Sequence, residues 1–340
     1  MNKKAFVGII VMLIIICGCV AGFLLLGKKT ESPDKAAKKK NINPLTGIEL
    51  KKGETLPDRP IMVSTDNDSY LSRPQAGISK ADILYEVPIE GGGSRYEPIY
   101  YGKIDELTTM GAVRSVRPYI LDIAREYNAV FVHNGTSPQA FARFKTSGVD
   151  RIAASENFSA FHQEKKNLKR LPGNFYVKKE TILKFMEKLN YNVKKSVRGF
   201  KWLDEGDTVS GSDVKELQVN YADGAYNTFK YDEKSKTYTK YVKGKPLIDE
   251  NNNETFKCSN ILIQKVPFKI YSGEKERLDI NMISQGEALM FTQGKMIKGT
   301  WSRKDENSPT IFKDENGNEF KMTPGVTAIQ LVDTTVKVKY

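Results

Sequence analysis

The sequence predicts an α+β fold, a mixed α/β domain at 59–195 followed by a β-rich domain at 215–340. Three observations carry this. Strand and helix periodicities alternate between residues 60 and 190. From about 213 the text turns to polar–apolar alternation with turn residues at short spacing. The 340 residues, 39% hydrophobic and 28% charged, have room for two packed bodies.

The first element is an apolar leader. Residues 5–27, "AFVGIIVMLIIICGCVAGFLLLG", hold no charged residue over 23 positions, enough to cross a bilayer core of about 30 Å. "ICGC" at 16–19 resembles a lipobox, which would make Cys19 the lipidated mature N-terminus. The apolar run continues past Cys19, which instead favours an uncleaved signal-anchor. Both outcomes stay open. Eight lysines against two acids among residues 1–40 leave half of the +12 net charge for the remaining 300 residues. The lysines after the apolar run would by the positive-inside rule keep the body in the cytoplasm. The N-terminal position of the run favours export, which is the expectation adopted. Residues 28–58, lysine-rich with three prolines, read as a tether leading into a turn at "NPLTG".

"PIMVST" (60–65) is a short buried-type strand. "ADILYEVPIE" (81–90) and "SRYEPIYY" (94–101) are two strands joined by Gly91–Gly93 into a hairpin. That loop would set Arg95 and Glu97 on the Tyr85/Val87/Ile89 face, where they could form an internal ion pair, and a one-residue register slip would reverse the faces. A helix starts near Pro118, with Ile120, Ile123, Ala124 and Tyr127 on one face. "AVFVH" (129–133) is the next strand. Ser137 and Pro138 cap and open a second helix, and "KKETILKFMEKL" (178–189) is a third. In the C-terminal part, Asn316-Gly317 marks a tight hairpin.

Composition removes several function classes. A mildly basic body makes no nucleic-acid case. With only His133 and His162 as histidines and Cys258 alone in the body, no metal site and no cofactor is expected. There is no phosphate-binding P-loop, no nucleophile elbow and no H-E-x-x-H. Two S-x-x-K matches, at Ser212 and Ser272, lack companion motifs. "DENNNE" (249–254) imitates a calcium loop, but has Glu254 where the turn needs glycine. Glu86 and Glu90 stand about 13 Å apart along one strand, too far for a glycosidase pair.

The charged stretch "GAVRSVRPY" (111–119) is more informative. Arg114 and Arg117 flank a helix entrance, the positive end of its dipole, at a cost of about 0.3–1 kcal/mol each. A negative partner must remove that cost. Glu86, Glu90, Glu97 and Asp122 are internal candidates. An external anion is the other reading. It would bring Asn134, at the His133-Asn134-Gly135 end of the next strand, together with the N–H groups after Ser137, joined by Arg73 and Arg95, with Tyr96 or Tyr119 stacking on a sugar ring. Asp66 and Asn67 after the first strand could bind a cation or a sugar, or cap the turn. His133 is also a candidate general base.

At these motifs the chain resembles the YerB family of bacterial envelope proteins of unknown function. The text that carries the resemblance is "RPIMVSTDNDSYLSRPQAGISKADILYEVPIEGGGSRY", "GAVRSVRPYILDIAREYNAVFVHNGTSPQAF", "FKYDEKSKTYTKYVKGKPLID" and "MFTQGKMIKGTW". It spans nearly all of 44–340. The resemblance implies two domains and a membrane-attached protein outside the cytoplasm, and brings no established reaction. The expected function is binding, without catalysis, of an anionic envelope glycan or partner through Arg114, Arg117, Asn134, Arg95, Asp66, Asn67, Glu90 and His133. The alternatives are an enzyme of wall-polymer or lipid-linked sugar metabolism, with Glu90 in proton transfer, and an assembly factor docking membrane proteins through aromatics such as Trp301. The expected partners are the membrane and an anionic cell-wall polymer or envelope protein, with no nucleic acid.

Overall fold

Hydrophobic strands that bury both faces need cover on both sides, and the chain supplies it from different halves. The computed structural model describes residues 41–67, 72–164, 174–222, 225–274 and 276–340. Its centre is a 12-stranded mixed sheet. Thr327–Asp333 lies in the middle, parallel to Ile83–Pro88 on one side and to Asn260–Val266 on the other. Ile83–Pro88 forms the expected hairpin with Ser94–Tyr100, in the register Tyr85↔Glu97 and Val87↔Arg95. Ser94–Tyr100 pairs with Ile61–Val63, which runs parallel to Val130–His133 and then Arg151–Ala153. The 59–195 and 215–340 segments therefore share one sheet, and the fold is α+β.

One face packs on the helix Pro118–Glu126, whose Ile120, Ile123 and Ala124 are fully buried with Tyr127 just beyond, and on Pro138–Ser147. Helix Lys179–Lys188 covers the opposite face near Ile61 and Val130. Further along that face, the five-stranded sheet built on Glu216–Ala222, Ala225–Asp232 and Thr237–Val242 packs Leu217, Phe229 and Tyr238 against Leu84 and Ile261.

From Ile42 the tether expected over 28–58 is already part of the body. Leu45 is fully buried, and Asn43 donates to the buried Asp82. Gly47, at φ +67°, packs so tightly on Trp202 that a side chain there would overlap the indole. Trp301 is also fully buried, with its indole N–H on the Lys265 carbonyl. It cannot serve as the exposed docking aromatic that the assembly reading requires. The calcium-like loop is a turn: Asp249 accepts from the Gly77 and Ser79 backbone N–H groups and the Ser79 hydroxyl. Among the described residues no helix is long and apolar enough to cross a membrane; the leader and Cys19 lie outside them.

Candidate functional site

The segment after Gly111 runs between the ends of two parallel strands and is held to both. Arg114 N–H donates to the Ser64 carbonyl, Asn134 N–H donates to the Arg114 carbonyl, and Val116 N–H donates to the Gly135 carbonyl. Val116 and Thr136 form a parallel bridge. Two helix entrances are thus side by side at the carboxyl edge of Ile61–Val63 and Val130–His133. Arg117 occupies the N-cap position of the first helix without a side-chain capping bond, and the Ser137 hydroxyl accepts from Ala140 N–H at the second. Gly135 permits this approach. Its φ is +85°, and a Cβ there would stand 2.8 Å from the Ser115 hydroxyl.

Both arginines have internal partners. Arg117 grips Glu90 through Nε and Nη2, the latter at 2.8 Å. Burial pushes the Glu90 carboxyl up, but the Arg117 hydrogen bonds and charge outweigh it, so its pKa ends below the usual value. Arg114 stands 3.5 Å from Asp66, which also accepts from Ser72. Asp66 is not among the acids that sequence spacing suggests as partners. Beneath them lies Arg95, donating to the Ser115 carbonyl; burial and the neighbouring Arg117 lower its pKa. Glu97 is fully buried beside it. Its Oε1 accepts from the Ser64 hydroxyl at 2.9 Å, and Oε2 has no hydrogen-bond partner. Burial pushes its pKa up to about 8 against the pull of Arg95 and Ser64.

In front of this arginine layer opens a cleft of about 670 Å³, lined among others by Glu90, Ser115, Arg117, Thr136, Ser137 and Arg277. Arg277 comes from the hairpin of Phe268–Ile270 and Leu278–Ile280, tied across the opening to Gln139 by Arg277 Nη1 and by Glu274. No sequence signal pointed to Arg277, because hairpin contacts to a helix 138 residues away leave no local trace.

The remaining residues of the expected set fall elsewhere. Asn67 donates to Glu86 and Ser94 and accepts from Arg73, so both Asn67 and Arg73 belong to a buried network on the other face. In it, Glu86 also takes Asn227 and the fully buried Lys240. Sequence reasoning missed Lys240, which reads as one more lysine of a surface strand. His133 is stacked between Phe131 and Phe144, its Nδ1 on the Gly135 carbonyl. Burial lowers its pKa to about 4. It is a packed strand-end residue and not a general base facing the cleft. Asn134 contributes its backbone N–H to Arg114 and does not line the cleft. Tyr96 and Tyr119 are buried, with the Tyr119 hydroxyl on the Pro88 carbonyl, and present no ring to a sugar. Among the described residues no cluster of three acids, histidines or cysteines suits a metal ion.

Comparison with known proteins completes the picture. Residues 45–192 match the family described as Protein of unknown function (DUF3048) N-terminal domain, and residues 217–329 match its C-terminal domain. A Bacillus subtilis (strain 168) protein named "Putative lipoprotein YerB" is 28% identical over 319 residues, covering 92% of this chain and 93% of the relative. The crystal structure of YerB protein from Bacillus subtilis has a TM-score of 0.78 at 25% identity, covering 88% of this chain and 99% of that one. Both halves of the sheet that frame the cleft fall within these matches, and the chain belongs to the YerB-like family of DUF3048 proteins.

Proposed function

We propose that this protein is held at the outer side of the cytoplasmic membrane by its N-terminus and binds an anionic envelope glycan without catalysis. The observation that carries the reading is the cleft at the paired helix entrances. Two guanidinium groups, Arg117 and Arg277, flank the hydroxyl residues Ser115, Thr136 and Ser137, a donor set suited to phosphate or carboxylate oxygens. Three acids line it as well, Glu90, Glu274 and Glu276, and these would accept from sugar hydroxyls. The apolar leader and the relative's name as a lipoprotein support the location. Binding is favoured over the enzyme alternative because Glu90, the acid named as an example for proton transfer, is gripped bidentately by Arg117 with its pKa lowered.

The test is cosedimentation of the detergent-solubilised full chain with bacterial sacculi, with and without their anionic polymers. Arg277→Glu is the informative variant, since that side chain is 36% exposed and its replacement spares the core. Binding that requires both the polymer and Arg277 supports the proposal. Wild-type protein that stays in the supernatant refutes it.

A further inference from the structure

Glu97 takes no part in lining the cleft, yet it lies directly behind its wall. It sits two residues from Arg95 on the same strand face, and Arg95 holds the carbonyl of Ser115, a lining residue. The groups around it come from every packed element. Asp66 stands opposite Arg95 in the neighbouring short strand. Ser64 donates to Glu97. Arg114 and Arg117 come from the segment above, paired to Asp66 and Glu90. Tyr85 stands opposite with its hydroxyl on Tyr127, and Tyr119 has its hydroxyl on Pro88. Three buried atoms of this layer, Glu97 Oε2, Arg95 Nε and Arg114 Nε, have no hydrogen-bond partner. Three arginines face Asp66 and Glu90. Within this layer the state of Glu97 therefore decides between one net positive charge and none; among the other cleft-lining residues Glu274 and Glu276 outweigh Arg277 by one negative charge that does not depend on Glu97.

We propose that Glu97 is the proton-linked selector of the cleft: uncharged, it leaves the arginine layer positive and the cleft holds a phosphodiester-type anion; charged, it neutralises the layer and the anion leaves. This rests on the reading that the cleft takes an anion. The pKa of about 8 places the change just above neutrality. A unit charge acting over a separation on the order of 10 Å, at an effective dielectric near 20, would change affinity about tenfold.

The experiment measures binding of the full-length protein in detergent to sacculi bearing phosphodiester polymers, from pH 6 to 9.5 at constant ionic strength. The phosphodiester keeps its charge over this range. Wild-type affinity is expected to fall about tenfold with rising pH. Glu97→Gln is expected to bind at the low-pH level throughout. Ser64→Ala, which removes the hydrogen bond favouring the carboxylate, is expected to move the midpoint upward and serves if Glu97→Gln does not fold. A wild-type affinity independent of pH, or a slope that survives in Glu97→Gln, overturns the role of Glu97 and leaves the cleft reading standing. Absence of wild-type binding at every pH overturns both.

Discussion

Glu97→Gln removes a titrating group and keeps its shape, so its effect on stability should depend on pH in a calculable way. The carboxyl is fully buried, and its pKa is raised from 4.5 to about 8. Every tenfold weakening of an acid on folding corresponds to about 1.36 kcal/mol between its protonation states. Below pH 4.5 folded and unfolded chains are both neutral at this site, and burial of the ionised form costs nothing. Between 4.5 and 8 only the unfolded chain ionises, so stability falls as pH rises; above 8 the loss levels off near 4–5 kcal/mol. The variant should thus gain about 1 kcal/mol over wild type at pH 5 and about 4–5 kcal/mol at pH 9. Urea unfolding of both proteins at the two pH values measures this, and the difference between them cancels every other titrating group. An equal difference at pH 5 and pH 9 would refute the assignment of a buried neutral Glu97.

Three further outcomes follow from other contacts. Lys240→Met leaves the Glu86 carboxylate buried without its counter-charge and should cost about 3–5 kcal/mol in urea unfolding, most of it recovered in the Glu86→Gln/Lys240→Met double variant. Gly135→Ala forces a side chain into a left-handed turn against Ser115; it should lower stability by at least about 1 kcal/mol and weaken sacculus binding together. The His133 ring resonances, followed by NMR, should not titrate between pH 8 and 5.5, because the folded ring stays neutral down to about 4; a midpoint near 6.5 would place the ring in water.

Local features of the fold were legible and long-range ones were not. Pro118, and Ser137 with Pro138, announce their helices through capping chemistry that acts over a single turn. The three-glycine loop was enough to place Arg95 and Glu97 on one face, because hairpin register depends on a few residues. The insertion of Thr327–Asp333 beside Ile83–Pro88 left no such mark, since parallel pairing carries no turn and no fixed spacing. The same limit applied to the charges. Glu90 could be named only as one of four candidate partners for the two arginines, all from the hairpin or the first helix, whereas Asp66, Lys240 and Arg277 reach their places through the central sheet. Tyr119 and Trp301 misled for a simpler reason: an aromatic with a polar tip reads alike whether that tip meets a ligand or a buried carbonyl.

Internal pairing of Arg117 does not use up the residue. A guanidinium has five N–H donors. Nε and one Nη2 hydrogen go to Glu90, and one Nη1 hydrogen goes to the Val116 carbonyl at 3.2 Å, leaving two. Arg277 engages Gln139 through Nη1 and Glu274 through Nε, leaving its Nη2 donors. An anion can therefore be held with the Arg117–Glu90 pair intact, while Glu90, one of three acids lining the cleft with Glu274 and Glu276, opposes it. Glu90→Gln separates the two roles assigned to Arg117. If the cleft binds anions, removing that charge should raise affinity for polymer-bearing sacculi several-fold, even as loss of the ion pair lowers stability. If Arg117 serves only to fasten the hairpin to the helix, the variant should lose stability with no gain in binding.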